Sequence, residues 1–460
     1  MTIDVLPDDV LLSVFDRHVD ESSDVEGWRT LVHVCRRWRN VVFGSPRRLH
    51  QQIACTNKSH MREKLDVWSH LPIVVSGYCD SMTCLDNIKA ALEHSDRICQ
   101  IELMVNPSKV PWEYVLAALE KPFPALTDFD LSQWPFLNYN IGYPDPLKFL
   151  GGSGHLRLRS LSLGGVVIPQ FPALLTTVTE LNNLHLHNIP RYDYFTPDAM
   201  AAALSALTSL ETLSLRFTPS QYRAELGKLE SRHSLPRSVI PSLLCFDFEG
   251  ISVYLEALVS RIDTPALGRL GITFFYYHRP AFDATQLLWF LSHLPKMQEL
   301  DKAHMNLGST QIWIEFSSSD LSALRLEILS NEPERYFPCL ASSFGPPFNP
   351  LPMVGSLHIT HITSTGYQQN RWDCVGNARW LEPLRPFVGV KNLHLSKGVA
   401  PRIAPALQDL VGERSMEVFP ALQNVLLEEL LPTGPVHDPI MQFSTTRRIS
   451  GHPILISVSH

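Results

Sequence analysis

The sequence predicts an α/β fold in which a short N-terminal module of three helices precedes an irregular repeat solenoid, with a curved parallel sheet inside and helices outside. Three observations support this interpretation. The chain has 460 residues, more than one compact core normally holds. A degenerate Leu-x-x-Leu-x-Leu pattern recurs from Ile98 to Leu427, with helical patterns between its copies. The first sixty residues instead segregate their charges.

Composition excludes several classes of protein. A formal net charge of -7 argues against a polyanion as the main partner, and 45% apolar residues argue against global disorder. The N-terminus has no basic stretch followed by an apolar one, and no uncharged apolar run is long enough to span a bilayer, so neither secretion nor a membrane role is predicted. Eight cysteines without a C-x-x-C pair indicate reduced thiols in an intracellular protein of the cytoplasm or nucleus.

The N-terminal region has charges of opposite sign in two consecutive stretches. Residues 4–26 contain eight acidic residues and one basic residue, whereas residues 29–58 contain seven basic residues and no acidic one. Pro7 predicts the start of a helix over about 7–19, and the apolar positions of that helix exceed the single stripe that a small core needs. A second helix is predicted across 28–42, with its arginines largely on the polar side, and "PRRLHQQI" predicts a short third helix.

"LPDDVLLSVF" followed by "LVHVCRRWRNVVFGSPRRL" resembles the F-box motif over roughly residues 4–50, with a longer loop "DESSDVEG" and with His50 where the family often has Trp. In that family the three helices insert into a Skp-type adaptor, which is held by a cullin and brings substrates to a ubiquitin-conjugating enzyme. The resemblance implies that the adaptor is bound by thirteen residues. They are Leu6, Pro7, Asp9, Val10, Leu11, Val14, Phe15, Val34, Cys35, Arg36, Trp38, Pro46 and Leu49. The alternative is that these helices only cap the rest of the chain.

The repeats are degenerate copies of a leucine-rich unit. The residue at the fourth position of each copy serves as its marker, and consecutive markers are 23 to 36 residues apart. The markers are Ile101, Phe129, Leu161, Leu184, Leu213, Phe246, Leu270, Leu300, Leu324, Leu357, Leu393 and Val425. Each unit is predicted to run from strand through turn and helix to the next strand, and single units must stack to share a core. The whole pattern resembles the F-box proteins with degenerate leucine-rich repeats of mushroom-forming fungi.

These patterns divide the chain into four parts. We predict an F-box at 1–55, a junction and N-terminal cap at 56–97, the repeat solenoid at 98–431 and a C-terminal cap or tail at 432–460. Two longer insertions interrupt the repeats, at 218–239 and at 330–352. The second is interpreted as a loop, with a mobile lobe or a binding loop as alternatives.

Alternation along each strand predicts which side chains face the concave surface. They are Glu102, Asp130, Ser162, His185, Ser214, Asp247, Gly271, Arg325, His358 and His394. This mixture of acid, hydroxyl, imidazole and guanidinium groups is typical of protein or peptide recognition, and a merely solvated sheet is the alternative. "HLH" at 185–187 and "HITH" at 358–361 lack the additional ligands of a metal site. Neither a metal nor a cofactor is predicted, and no catalytic motif is present.

The sequence therefore predicts a non-catalytic substrate-recognition subunit of a Skp–cullin–F-box ubiquitin ligase, which binds the adaptor through its F-box and an unknown protein substrate through its repeats. A binding scaffold with the same two domains but without the cullin is the alternative. A third hypothesis, nucleic-acid binding through Arg36, Arg37 and Arg39, predicts strongly salt-dependent association. The acidic balance of the chain disfavours it.

Overall fold

The structure is a computed structural model. It describes residues 6–22, 26–44, 51–55, 72–134, 149–151, 156–166, 171–189, 196–219, 237–275, 284–319, 322–342, 344, 347–361, 372, 375–428 and 436–459. The chain forms two compact units, unit 1 (residues 1–189) and unit 2 (residues 190–460). None of the helices in these ranges combines the length and apolar character needed to cross a membrane.

Unit 1 begins with three helices, α1 (Asp8–Ser22), α2 (Glu26–Val34) and α3 (Arg36–Phe43). Their shared core contains five buried side chains, Leu11, Phe15, Leu31, Val41 and Val42. The rings of Phe15 and Trp38 lie 4.6 Å apart, so α1 and α3 pack directly on each other. All five residues are among the apolar positions of the helical segments predicted over 7–19 and 28–42.

The second helix predicted across 28–42 is two helices. Cys35 separates them with an extended backbone (φ -154, ψ 170), and its Sγ accepts a hydrogen bond from the Trp38 backbone N–H at 3.4 Å. The thiol thereby satisfies one of the free N–H groups at the start of α3. The sequence concealed this break because cysteine is not among the residues that usually cap helices.

The prediction of a third helix in "PRRLHQQI" is wrong for residues 51–53, the part of that segment that the structure describes. Gln51–Ala54 forms strand β1, which pairs in parallel with the next strand, so that Gln51 lies opposite Ile73. Ile53 is buried on the inner face. A neighbouring strand provides backbone partners that a short isolated helix would lack, and this tertiary pairing overrides the local pattern.

The sheet of unit 1 has six parallel strands in chain order. They are β1, β2 (Ile73–Cys79), β3 (Ile98–Val105), β4 (Asp128–Gln133), β5 (Ser160–Gly164) and β6 (Asn183–Ile189). The helices between them are α4 (Met82–Leu92), α5 (Trp112–Ala118) and α6 (Phe171–Leu175), with a 3₁₀ turn at Phe149–Gly151. The markers Ile101, Phe129, Leu161 and Leu184 pair in register and are buried, as predicted. Val75 of β2 joins this register, so the sheet pattern begins before the first recognisable copy.

Unit 2 has a ten-stranded sheet in the order β7-β9-β11-β14-β13-β12-β15-β16-β17-β18, and β8 and β10 form a separate pair. The first six of its strands are β7 (Thr212–Phe217), β8 (Ser238–Val239), β9 (Cys245–Gly250), β10 (Ile262–Asp263), β11 (Arg269–Phe275) and β12 (Lys302–Leu307). The other six are β13 (Gln311–Ser317), β14 (Ala323–Leu329), β15 (Ser356–His361), β16 (Asn392–Leu395), β17 (Asn424–Glu428) and β18 (Leu455–Ser459).

Several helices of unit 2 lie between its strands where the sequence predicted helical segments, and the others are additional, the longest of them at His437–Ile449. The helices of this unit are α7 (Pro197–Leu204), α8 (Ser252–Val259), α9 (Thr285–Ser292), α10 (Phe337–Ser342), α11 (Asn377–Leu381), α12 (Ala400–Gln408) and α13 (His437–Ile449). Short 3₁₀ helices cover Pro295–Glu299, Pro333–Arg335, Leu351–Met353, Glu382–Leu384 and Gly412–Met416.

Eleven of the twelve predicted markers occupy equivalent buried positions of the sheets, and the exception is Leu300. It follows a 3₁₀ helix, and Ala303 takes the marker position in β12, opposite Leu357. The sheet is also not entirely parallel, because β13 runs antiparallel to both β12 and β14. A tight turn closed by a 2.9 Å hydrogen bond from Gly308 N–H to Gln311 O makes this possible, since antiparallel strands need no helical crossover.

The 330–352 insertion is a packed segment, which corrects its interpretation as a loop. It contains α10 and two 3₁₀ helices, and it buries Tyr336, Phe337, Leu340, Phe348 and Leu351. The Phe337 ring packs edge-on against two tryptophan rings at 5.2 to 5.6 Å. The prolines suggested irregular structure, but the aromatic residues between them are what the segment buries. Most of the 218–239 insertion lies outside the described residues.

The marker positions give a direct test of this fold. Replacing Leu357 with alanine should lower the free energy of unfolding of unit 2 by about 2–5 kcal/mol, because Leu357 is fully buried and the neighbouring strands leave the cavity unfilled. Chemical denaturation measures the change. Ser356→Ala, one residue earlier and on the opposite sheet face, is the matched control and should stay within about 0.5 kcal/mol of the unaltered protein. Similar losses in both variants would contradict the register.

Candidate functional site

The three-helix module exposes apolar side chains that its own core does not use. Val10 and Val14 of α1 are 40% and 44% exposed, and they lie one turn apart on the same face of the helix. Val34, the last residue of α2, is 56% exposed. Part of the surplus of apolar residues noted in the sequence is therefore accessible to solvent.

The residues implied as adaptor contacts divide into three groups. Leu11 and Phe15 are fully buried in the module, so they can affect binding only through its fold, which corrects their assignment as contacts. Pro7, Asp9 and Arg36, with the three valines above, are exposed, whereas Leu6, Cys35 and Trp38 are partly buried. Pro46 and Leu49 lie outside the described residues.

Two of the arginines in the basic stretch are used inside the module. Arg37 Nη2 lies 2.7 Å from Asp8 Oδ1 and also donates to the Leu6 carbonyl, which joins the start of α3 to the start of α1. Arg39 Nε donates to the Val32 carbonyl at 3.1 Å. The expectation that the arginines lie largely on the polar side agrees with their burial, since Arg36 and Arg39 are exposed and Arg37 is partly buried. The contacts of Arg37 and Arg39 within the module weaken the case for a phosphate-binding patch.

The polar face of unit 1 consists of the side chains that alternate with the buried markers. The central row aligns Ser76, Glu102, Asp130, Ser162 and His185 by strand register. All of the residues predicted for this part of the ladder lie in that row, with Ser76 as an addition. Glu102 and Asp130 stand directly opposite each other, and like charges in that position destabilise a sheet.

Burial raises the pKa of Asp130, and the nearby charge of Glu102 raises it further, whereas a hydrogen bond with Ser162 opposes the shift. The ionised form of Asp130 is therefore less stable here than in water, despite its hydrogen bond with Ser162. Tyr78, Met104 and Trp134, which lie further along the same face, are each more than two-fifths exposed. Carboxylates and apolar surface thus lie side by side on this face.

The polar face of unit 2 has the equivalent row, and it is longer than predicted. It runs Ser214, Asp247, Gly271, Arg325, Glu315, His304, His358 and His394. Ser214 is only 2% exposed, which corrects its assignment as a substrate contact. The other predicted residues of this row are at least partly exposed.

One part of this face forms what we call the tryptophan–histidine cluster, which consists of Trp313, Arg325, His304, His358 and Glu428. The Arg325 guanidinium lies 4.4 Å from the Trp313 ring centroid, and the His304 ring meets the same indole edge-on at 4.7 Å. His304 also stacks on His358 at 4.7 Å, and His358 Nε2 lies 3.3 Å from Glu428 Oε2. The cluster therefore takes its residues from five strands, β14, β13, β12, β15 and β17, and crosses β16 between the last two.

Burial favours the neutral form of the His304 imidazole in this cluster and of the His394 imidazole beside it. Burial lowers the pKa of His304 to about 4, and the nearby His358 lowers it further, while Glu428 acts in the opposite direction. Burial and His358 also lower the pKa of His394. Neutral imidazoles can each donate and accept one hydrogen bond. Together with an indole and a guanidinium, they form a surface suited to binding a polypeptide.

The sequence did not reveal His304, Glu315, Trp313 and Glu428 as members of this face. His304 was missed because the unit containing Leu300 was assigned the wrong register, and Trp313 and Glu315 were missed because β13 was not recognised as a strand. The alternation in "QIWIEFS" was the signal that could have found β13. Glu428 lies on β17 two residues after Leu426, which is in register with His394, and its long side chain reaches His358.

Unit 1 also contains two neighbouring buried cysteines, Cys55 and Cys84, and a stacked pair of histidines. Cys84 Sγ donates to the Cys55 carbonyl at 3.1 Å, and burial raises the pKa of Cys55 to about 12. His185 and His187 stack at 5.8 Å. Within the described ranges, no group of three or more His, Cys, Asp or Glu residues is arranged to hold a metal ion.

Comparison with known proteins adds little to this geometry. No protein-family model matches the chain, and no curated protein matches it by sequence. Among solved structures, the crystal structure of the leucine-rich repeat-containing protein LegL7 from Legionella pneumophila is similar at 13% identity and a TM-score of 0.29, over 86% of this chain and 98% of that one. The leucine-rich repeat pattern is seen in this chain itself, where the buried markers of neighbouring strands pair in register.

The shifted pKa of His304 predicts how acid affects unit 2. Its folded value of about 4 lies below the ordinary value near 6.5, so the unfolded chain binds a proton in that interval and the folded chain does not. The free energy of unfolding should therefore fall as the pH is lowered from about 6.5 to about 4. His304→Gln should make this fall shallower while leaving the pH dependence above 7 unchanged. Denaturation curves at several pH values measure both, and parallel curves throughout would contradict the assignment.

Proposed function

We propose that this chain is the substrate-recognition subunit of a Skp–cullin–F-box ubiquitin ligase. The module at 1–55 binds the Skp-type adaptor, and the repeats bind a protein substrate. The observation that carries the proposal is the exposure of three valines, Val10 and Val14 on one face of α1 and Val34 at the end of α2, on a module whose core is filled by other residues. In proteins with the F-box pattern, exposed apolar residues of these helices contact the Skp-type adaptor. Helices that only cap the rest of the chain would have no partner for them.

The size of the module supports a docking role. Three short helices enclose five fully buried apolar side chains, and a domain of about fifty residues is near the lower limit for independent stability. Covering the valines with a partner removes apolar surface from water at about 25 cal/mol per Å². The Arg37–Asp8 ion pair joins the beginnings of α1 and α3.

The repeats support a protein substrate in preference to a nucleic acid. The strands β2 to β6 contain Glu102, Asp128 and Asp130 but no lysine or arginine, and a polyphosphate would be repelled there. In unit 2, the guanidinium of Arg325 is held by Glu327 at 3.1 Å and by the Trp313 ring. Aromatic, arginine and amphipathic side chains of this kind are enriched in protein interfaces.

The proposed mechanism is proximity, without catalysis by this chain. Holding a substrate lysine near the thioester of a partner enzyme turns an encounter in solution into a local one, and this requires rigid binding surfaces instead of a nucleophile or a cofactor. The paired strands of each unit provide such surfaces.

The valine face gives the first test of this function. Val14→Asp should reduce capture of the Skp-type adaptor at least tenfold, because a carboxylate would be placed in an apolar interface and would lose its hydration there. Ser13→Asp is the matched control, since it adds the same charge to an exposed neighbouring position of α1 and should change capture little. Purified full-length chains and adaptor in a pull-down measure the difference. Equal capture by the two variants would contradict the docking face.

The same variants separate a ligase subunit from a scaffold without cullin. Affinity purification of the unaltered chain should recover the adaptor, the cullin and additional proteins bound by the repeats. Val14→Asp should lose the first two and retain the others. Recovery of the adaptor without cullin would favour the scaffold instead.

A further inference from the structure

The polar face of unit 1 contains negative charges that no basic residue of its strands compensates. Glu102 and Asp130 are directly opposite each other, and Asp128 stands two residues before Asp130 on β4. The strands β2 to β6 contain neither lysine nor arginine. Such an arrangement costs stability, because like charges across a ladder repel and a partly buried carboxylate is poorly hydrated. A positively charged partner would remove both disadvantages.

Apolar surface adjoins these carboxylates on the same face. Tyr78 and Met104 are cross-strand neighbours, and Met104 is two residues after Glu102 on β3. Trp134 follows the end of β4, four residues after Asp130. At about 3.3 Å per residue, the apolar and acidic groups are separated by about 7 to 13 Å along the strands. This is the distance between side chains two to four positions apart in an extended peptide.

Other occupants fit this face less well. The described residues contain no cluster of ligands for a metal ion, and nucleic acid or anionic lipid would meet carboxylates instead of basic groups. An acidic protein segment would add further repulsion. Charge complementarity therefore selects a basic occupant, and Tyr78, Met104 and Trp134 select one that also carries apolar side chains.

We propose that the polar face of unit 1 binds a segment of the protein substrate in which lysine or arginine residues alternate with apolar residues. Glu102 and Asp130 receive the basic side chains, and Met104 with Trp134 contacts the apolar ones. This deepens the proposed function, on which it rests, by naming the class of segment that the repeats select. It makes no use of the adaptor-binding module.

Fluorescence anisotropy of the full-length chain tests the selection. The probe is a fluorescein-labelled peptide of about twelve residues in which leucine and lysine alternate at every second position, with serine between them, and the comparison peptide has glutamate in place of lysine. The lysine peptide should bind, and the glutamate peptide should bind at least tenfold more weakly. The double variant Glu102→Gln/Asp130→Asn should weaken binding of the lysine peptide about tenfold.

A charge-matched control separates a specific face from general attraction to an acidic protein. Glu93→Gln/Glu113→Gln removes an equal number of charges from exposed positions, at the C-terminal end of α4 and in α5, and should leave the affinity unchanged. Met104→Ser should weaken binding several-fold without altering any charge, and it serves as the second variant if loss of the two carboxylates disturbs folding. Equal binding of both peptides, or equal effects of the two double variants, would overturn the proposal.

The outcome is independent of the adaptor. If the Glu102→Gln/Asp130→Asn variant still recovers every repeat-bound protein in affinity purification, this inference is refuted. The proposed function is then left intact. Loss of adaptor capture by Val14→Asp bears on the proposed function alone. If the proteins lost from the face variant carry exposed segments of the stated pattern, both proposals gain support.

Discussion

The structure depends on one constraint: no repeat unit can bury its apolar residues alone, so each strand must place its marker beside the markers of its neighbours. In unit 1 this aligns Ile101, Phe129, Leu161 and Leu184, and in unit 2 the same position continues from Leu213 to Val425. Because side chains alternate along a strand, fixing the buried row also fixes which residues form the polar face. The core thus determines the geometry of the candidate binding surfaces.

The sheet of unit 2 accommodates a departure from this regularity without losing register. The β12–β13 hairpin lies between strands that belong to the parallel series, yet Phe316 and Ala303 still occupy marker positions beside Leu324 and Leu357. Its effect on the polar face is large, because it contributes Trp313 and His304. The tryptophan–histidine cluster exists where the repeat is interrupted, and it is the most chemically varied part of that face.

The N-terminal module uses its residues differently from the repeats. It has few apolar side chains to bury, and it leaves several of them exposed while committing Arg37 to an internal ion pair. The basic run of residues 29–58 is thus partly a structural element of the module, because Arg37 and Arg39 make hydrogen bonds within it.

The sequence by itself determined the alternating and helical periods, the markers, the helices between them and most of the ladder, because these follow from local spacing and from the need to bury apolar side chains. Only the tertiary structure decided where β1 pairs, where the helix breaks at Cys35, and that β13 runs antiparallel. It also decided that Leu11 and Phe15 are core while Val10 and Val14 are surface. These outcomes depend on which strand or helix lies alongside, and a one-dimensional pattern does not specify its neighbours in space.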